Sequence, residues 1–192
     1  VPWVRSGSHN IIVGPNNEYM STGGLIAGFG NRSYEFAENS VVLGGQNNEV
    51  RAIYSFVAGG ANNVAGGDGS TIMGGNNNLA EGQTTTVVGG TFNRASSFSD
   101  IVVGGSGNHA NSYAGGSQIF GGGGNTAESG TIFGGANNTT LGFEPGCSYG
   151  PDNPVIVGGD ANTASGIRTL IAGGGENLIS CEAVLDVVVG NQ

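Results

Sequence analysis

Hydrolytic, nucleophilic and metal-dependent chemistry is built on histidines, cysteines and paired carboxylates, and this chain spaces those residues poorly for it. Its two histidines, His9 and His109, stand apart, and a lone surface His is an inert group rather than a general base. Of 14 acidic residues, only Glu35 and Glu38 form a close pair, too little for the two-carboxylate arrangement of glycoside hydrolysis. Gly66-Gly67-Asp68-Gly69 holds a fragment of the calcium-binding nonapeptide, but once and in the wrong order, whereas that site draws its ligands from tandem copies. The many Gly-Gly pairs resemble phosphate-cradling loops, yet none opens a helix with a Lys or Thr, and the chain has no Lys. No catalytic residue, cofactor site or metal site is read, and the expectation is a protein that is not an enzyme. Cys147 and Cys181 are the only cysteines, and neither has a CxxC or His-flanked spacing. One disulfide in an oxidising compartment is the natural reading, two free thiols the alternative.

Composition narrows the class further. Glycine contributes 40 of 192 residues and charged residues only 10%. Collagen needs Gly at every third place and abundant Pro, and the 5 Pro and absent period exclude it. Disorder needs low hydrophobicity, whereas hydrophobic residues reach 37% here and cluster. The net charge of -9 repels phosphate backbones and anionic lipid, so nucleic acid is not an expected partner. Without an apolar run of about eighteen residues, no membrane insertion is expected. The chain opens Val1-Pro2-Trp3 with no Met and no signal peptide, which suggests a mature or excised piece.

Where single residues say little, repetition says much. Apolar triplets followed by Gly begin at Ile11, Leu25, Val41, Phe56, Thr71, Thr86, Ile101, Gln118, Thr131, Val155, Leu170 and Val187. The intervals are 14, 16, 15, 15, 15, 15, 17, 13, 24, 15 and 17 residues. The 17 and 13 compensate one another, so only the 24 is a true insertion. The second place of the triplet is always Ile or Val: Ile12, Ile26, Val42, Val57, Ile72, Val87, Val102, Ile119, Ile132, Ile156, Ile171 and Val188. Because strands alternate their faces, this strictest place is expected to point inward. Four residues after the first Gly, nine units carry Asn: Asn48, Asn63, Asn78, Asn93, Asn108, Asn125, Asn138, Asn162 and Asn177. Two places later stands a small or apolar residue, usually Ala, from Val50 and Ala65 to Ile179.

Coils stacked in parallel at roughly 4.8 Å turn each column into a ladder. The Ile/Val and Ala ladders would close a thin core, the Gly pair would permit a turn with positive φ, and stacked Asn amides would hold that turn. The predicted fold is all-β, a single-domain parallel β-solenoid of about 15 residues per coil and 11 to 12 coils. Residues 1–10 are read as an N-terminal cap and 11–192 as the solenoid, with a loop insertion at 141–154 that leaves the stack. Sequons at Asn31-Arg32-Ser33 and Asn138-Thr139-Thr140 use an Asn of the ladder or its near equivalent, so glycosylation there is not expected.

Units such as GGANNVAGGDGSTIMGG (59–75) and GGDANTASGIRTLIAGG (158–174) resemble the head repeats of YadA-like trimeric autotransporter adhesins. They are also similar to the GG-x-N-N-x-A-S-G repeats of bacterial surface proteins. The resemblance runs from about Gly7 to Asn191. It implies a narrow left-handed β-roll, an extracellular or cell-surface setting, homotrimeric assembly, and attachment to host or matrix surfaces.

If the second place points inward, the third points out, and it is apolar in every unit: Val13, Ala27, Leu43, Ala58, Met73, Val88, Val103, Phe120, Phe133, Val157, Ala172 and Val189. An isolated solenoid would then expose an apolar strip about 50 Å long, more than monomers usually leave in water. A different register, with the first and third places buried, is the competing arrangement. The expectation is a homo-oligomer, trimer or filament, whose interface includes Leu43, Met73, Val88, Val103, Phe120, Phe133, Val157 and Val189. The chain closes at Val187-Val188-Val189-Gly190-Asn191-Gln192, partway round a coil, which predicts a longer parent protein or completion by another copy. The expected function is structural or adhesive, as a fibre, sheath or adhesin head. A carbohydrate- or receptor-binding module such as a phage tail-fibre tip is the alternative, but Tyr34, Tyr54, Phe98 and Tyr113 fall at unlike places in their coils. Ice binding would need a regular Thr face, and the Thr column is broken.

Overall fold

The structure is a computed structural model that describes residues 6–112, 115–142 and 153–190. These residues form two parallel sheets and no helix. The first sheet has twelve strands, from β1 (Ile11–Val13) to β23 (Val187–Val189), and the second has eleven, from β2 (Glu18–Tyr19) to β22 (Leu178–Ile179). Odd-numbered strands stack only on odd and even only on even, so the chain climbs coil by coil. Like residues meet in register: Ile12 pairs with Ile26, Val87 with Val102, and Ala95 with Ala110. The β-solenoid of about fifteen residues per coil is therefore as the repeat predicts.

The core is the gap between the sheets. Ile26, Val42, Val57, Ile72, Val87, Val102, Ile119, Ile132, Ile156 and Ile171 are fully buried, facing Val50, Ala65, Ala80, Ala95, Ala110, Ala127 and Ala164. Each buried branched side chain is worth roughly 1.5–3 kcal/mol, and the small partner lets the two sheets approach. Ile12 and Val188 belong to the same column but sit on outermost strands with a neighbour on one side only, and are half-buried. Burial of the second place excludes the register that would have hidden the first and third.

The two turns of each coil differ. From sheet 1 to sheet 2 the chain crosses the glycine turn, where a third ladder of single bridges runs from Phe29 and Gln46 through Thr91 to Gly175. From sheet 2 back to sheet 1 it rounds a corner that varies in length. The corner spans 51–55, 66–70, 81–85 and 96–100 in regular coils, but 34–40 and 111–117 in longer ones. Between β18 (Thr139–Thr140) and β19 (Val155–Val157) it takes up 141–154, the expected insertion, of which 143–152 lie outside the described residues. Residues 6–10 of the expected cap lie along the corner of the first coil, Asn10 accepting from the Gly24 amide at 2.7 Å and donating to the Ser21 carbonyl at 2.7 Å.

Hydroxyls close some of the corners, while those of Ser70 and Ser117 at the same place are buried without a partner among the described residues. Ser40, Ser55 and Thr85 each donate to the carbonyl three residues back, at 2.6 to 2.8 Å. Where the longer corner 111–117 must be accommodated, Asp100 stands instead, fully buried. One carboxylate oxygen accepts from the Ser112 hydroxyl at 2.5 Å and the Ser117 amide at 3.0 Å, the other from the Ser97 and Ser112 amides at 2.9 and 3.2 Å. Four donors offset the desolvation of that carboxylate, and they tie both ends of the enlarged corner to it.

Candidate functional site

The fold turns two outer faces to the surroundings, and their chemistry differs sharply. On sheet 1 the third-place residues point outward as alternation requires: Leu43, Met73, Phe133 and Val157 remain 50%, 55%, 46% and 46% exposed. Val88 and Val189 are exposed as well, while Val103 and Phe120 are half-buried by their neighbours. Phe120 and Phe133, one coil apart, stack with ring centroids 5.1 Å apart and planes at 10°. The first-place residues share this face and, apart from exposed Ile11 and Val187, are half-buried. Across all twelve units, neither place carries an Asp, Glu, Arg or His.

Sheet 2 turns outward Glu18, Arg32, Glu49, Arg94 and His109 among its eleven strands. Arg32 pairs with Glu18 at 2.5 Å, Arg51 with Glu49 at 2.6 Å, and Arg94 with Glu81 at 2.6 Å. The Arg32 and Arg51 guanidiniums approach the Tyr34 ring at 5.4 and 5.6 Å, a cation–π cluster bridging two coils. Hydrogen bonds to the Tyr34 hydroxyl and then to Glu18 raise the Arg32 pKa further above its ordinary value. His109 shares its Nε2 with the Ser96 hydroxyl at 3.0 Å; partial burial first, then the charge of Arg94, lowers its pKa and favours the neutral imidazole. Among the described residues no three His, Cys, Asp or Glu are grouped to hold a metal ion, and no helix is long and apolar enough to cross a membrane.

The Asn ladder is longer than spacing from the first Gly suggests. Asn48, Asn63, Asn78, Asn93, Asn108, Asn125, Asn138 and Asn162 are buried as expected, with Asn177 nearly so, and Asn17 and Asn31 extend the same column. From Asn31 onward, each backbone N–H donates to the Oδ1 of the Asn one coil earlier, at 2.8 to 3.1 Å. The amide nitrogen satisfies carbonyls of its own turn and of the next: Asn93 Nδ2 donates to Gly89 and Gly105 at 3.2 and 3.1 Å. Looking back from the Asn finds all eleven, because each has a Gly three residues before it, at Gly14 and Gly28 as at Gly45. The Asn31 and Asn138 sequons are thereby locked in the ladder.

Away from the Phe120–Phe133 stack, exposed aromatics do not line up: Phe36, Tyr54 and Phe98 occupy different places on the corners, and Phe29 and Phe92 lie on the glycine turn, coils apart. Tyr34 is held between its arginines, and Tyr113 lies outside the described residues. Cys181 is disulfide-bonded; Cys147, the only other cysteine of the chain, also lies outside them. No protein-family model matches the chain, and no curated protein matches it.

Proposed function

We propose that the chain is a non-enzymatic structural or adhesive β-solenoid of the extracellular space or cell surface, which works by self-association through the outer face of sheet 1. The observation that carries this reading is the outward column itself, apolar in every unit, uncharged, and holding large side chains such as Met73 and Phe133 about half exposed on a rigid frame. An unbroken strip roughly 50 Å long is costly to leave in water, and a second copy offers a matching surface. The disulfide at Cys181 suits an oxidising, extracellular compartment. Trimeric and filamentous forms both bury such a strip.

Sedimentation and negative-stain microscopy of the purified chain test the reading. The expected result is oligomers or fibres at micromolar concentration that the pair Met73→Glu and Phe133→Glu reduces to monomer without lowering the thermal midpoint. A wild-type chain that stays monomeric at about 100 μM would overturn it.

A further inference from the structure

The apolar strip is narrow. Three residues of strand give a width of roughly 10 Å, and eleven coil steps a length of roughly 50 Å, so one copy offers about 500 Å². Two copies would bury about 1,000 Å², at the lower limit of a specific interface. In that range a moderate opposing energy decides whether copies associate at all.

The opposing energy is on the other surfaces. The chain carries a net charge of -9, while the first and third places of all twelve units contain no ionisable residue. Exposed carboxylates such as Glu35, Asp68 and Glu176 lie on corners and on the glycine turn. Two copies meeting through the strip thus gain no ion pair from the strip itself and bring two net-negative surfaces together. At ~0.01 M salt the screening length is about 30 Å and those surfaces repel; at ~0.15 M it is about 8 Å and the repulsion is largely screened.

Resting on the assembly role proposed above, we infer that the occupant of the strip is a second copy of this chain and that ionic strength gates the association, dilute salt holding copies apart and physiological salt releasing them. A partner of opposite charge would behave in the reverse sense, since its attraction to the acidic surfaces would weaken as salt screens it.

The test is sedimentation equilibrium of the full chain in NaCl from about 10 to 300 mM at one pH, beside the triple variant Glu35→Gln, Asp68→Asn, Glu176→Gln. The dissociation constant of the wild type should fall at least about tenfold across the series. The triple variant should associate more tightly at 10 mM and respond less to added salt, which separates charge screening from general salting-out. Association that ignores salt or weakens with it, yet is abolished by Met73→Glu, overturns the gating and leaves the assembly role standing. No association at any salt, or association untouched by Met73→Glu, overturns both.

Discussion

At Gly90 the backbone turns with φ +79°, and a Cβ placed there would come within 2.3 Å of the Gly105 carbonyl oxygen one coil ahead. Across the same coil, at the 96–100 corner, the space is filled by the Asp100 side chain and closed by hydrogen bonds to residues that belong to a longer neighbouring corner. The glycine turn admits almost no variation: Asn follows the inward Ile or Val by six residues in nine coils and by five in the first two. The corner ranges from the three residues 128–130 to the stretch 141–154. Both turns carry backbone bonds from coil to coil, such as Gly69 N–H to the Ile53 carbonyl at the corner, but only the glycine turn also carries the buried Asn column, so a change of length there orphans the amide and carbonyls of its neighbours.

Breaking the rigid side should have the largest effect. Gly90→Ala combines a backbone clash with a left-handed φ and is expected to cost about 4 kcal/mol in urea unfolding. Gly59→Ala, whose methyl would meet nothing within 4 Å, should cost under about 1 kcal/mol. Asn93→Ala should cost about 3 kcal/mol, because the buried Asn108 amide loses its acceptor, the Gly89 carbonyl loses the Asn93 donor and the Gly105 carbonyl keeps only the Thr91 N–H. Amide hydrogen exchange in that variant should rise first at Asn108. On the tolerant side, two residues inserted between Gly66 and Gly67 should cost less than about 1 kcal/mol, since the 34–40 corner already holds seven, with Glu35 and Phe36 extra at that place. A loss comparable to Asn93→Ala would erase the distinction between the two turns.

The parts legible in the sequence are those where the fold leaves one choice per coil. Ile72 or Val102 must be apolar and branched, and Ala80 or Ala95 must be small, so period and alternation suffice to place them. Asn17 and Asn31 escape a count from the first Gly because the first two coils carry one Gly where later coils carry two. Asp100 is not legible at all as a corner residue. Its donors Ser112 and Ser117 lie in the next coil's corner, and only the stacking brings them together. The outward direction of Met73 and Phe133 follows from alternation, but the fold places no demand on what covers them, so their partner is a matter of surface chemistry.

The Asn ladder also sets a pitch. Ten successive amide-to-Oδ1 bonds of nearly equal length fix the rise of each coil at the strand spacing, and the outward column inherits that period. A surface that interdigitates with the strip along its whole length must be commensurate with it. A period differing by about 5% from 4.8 Å drifts by half a coil over eleven steps, setting ridges on ridges where the match began with ridges in grooves. Another copy, cut to the same pitch by the same ladder, meets that requirement without adjustment.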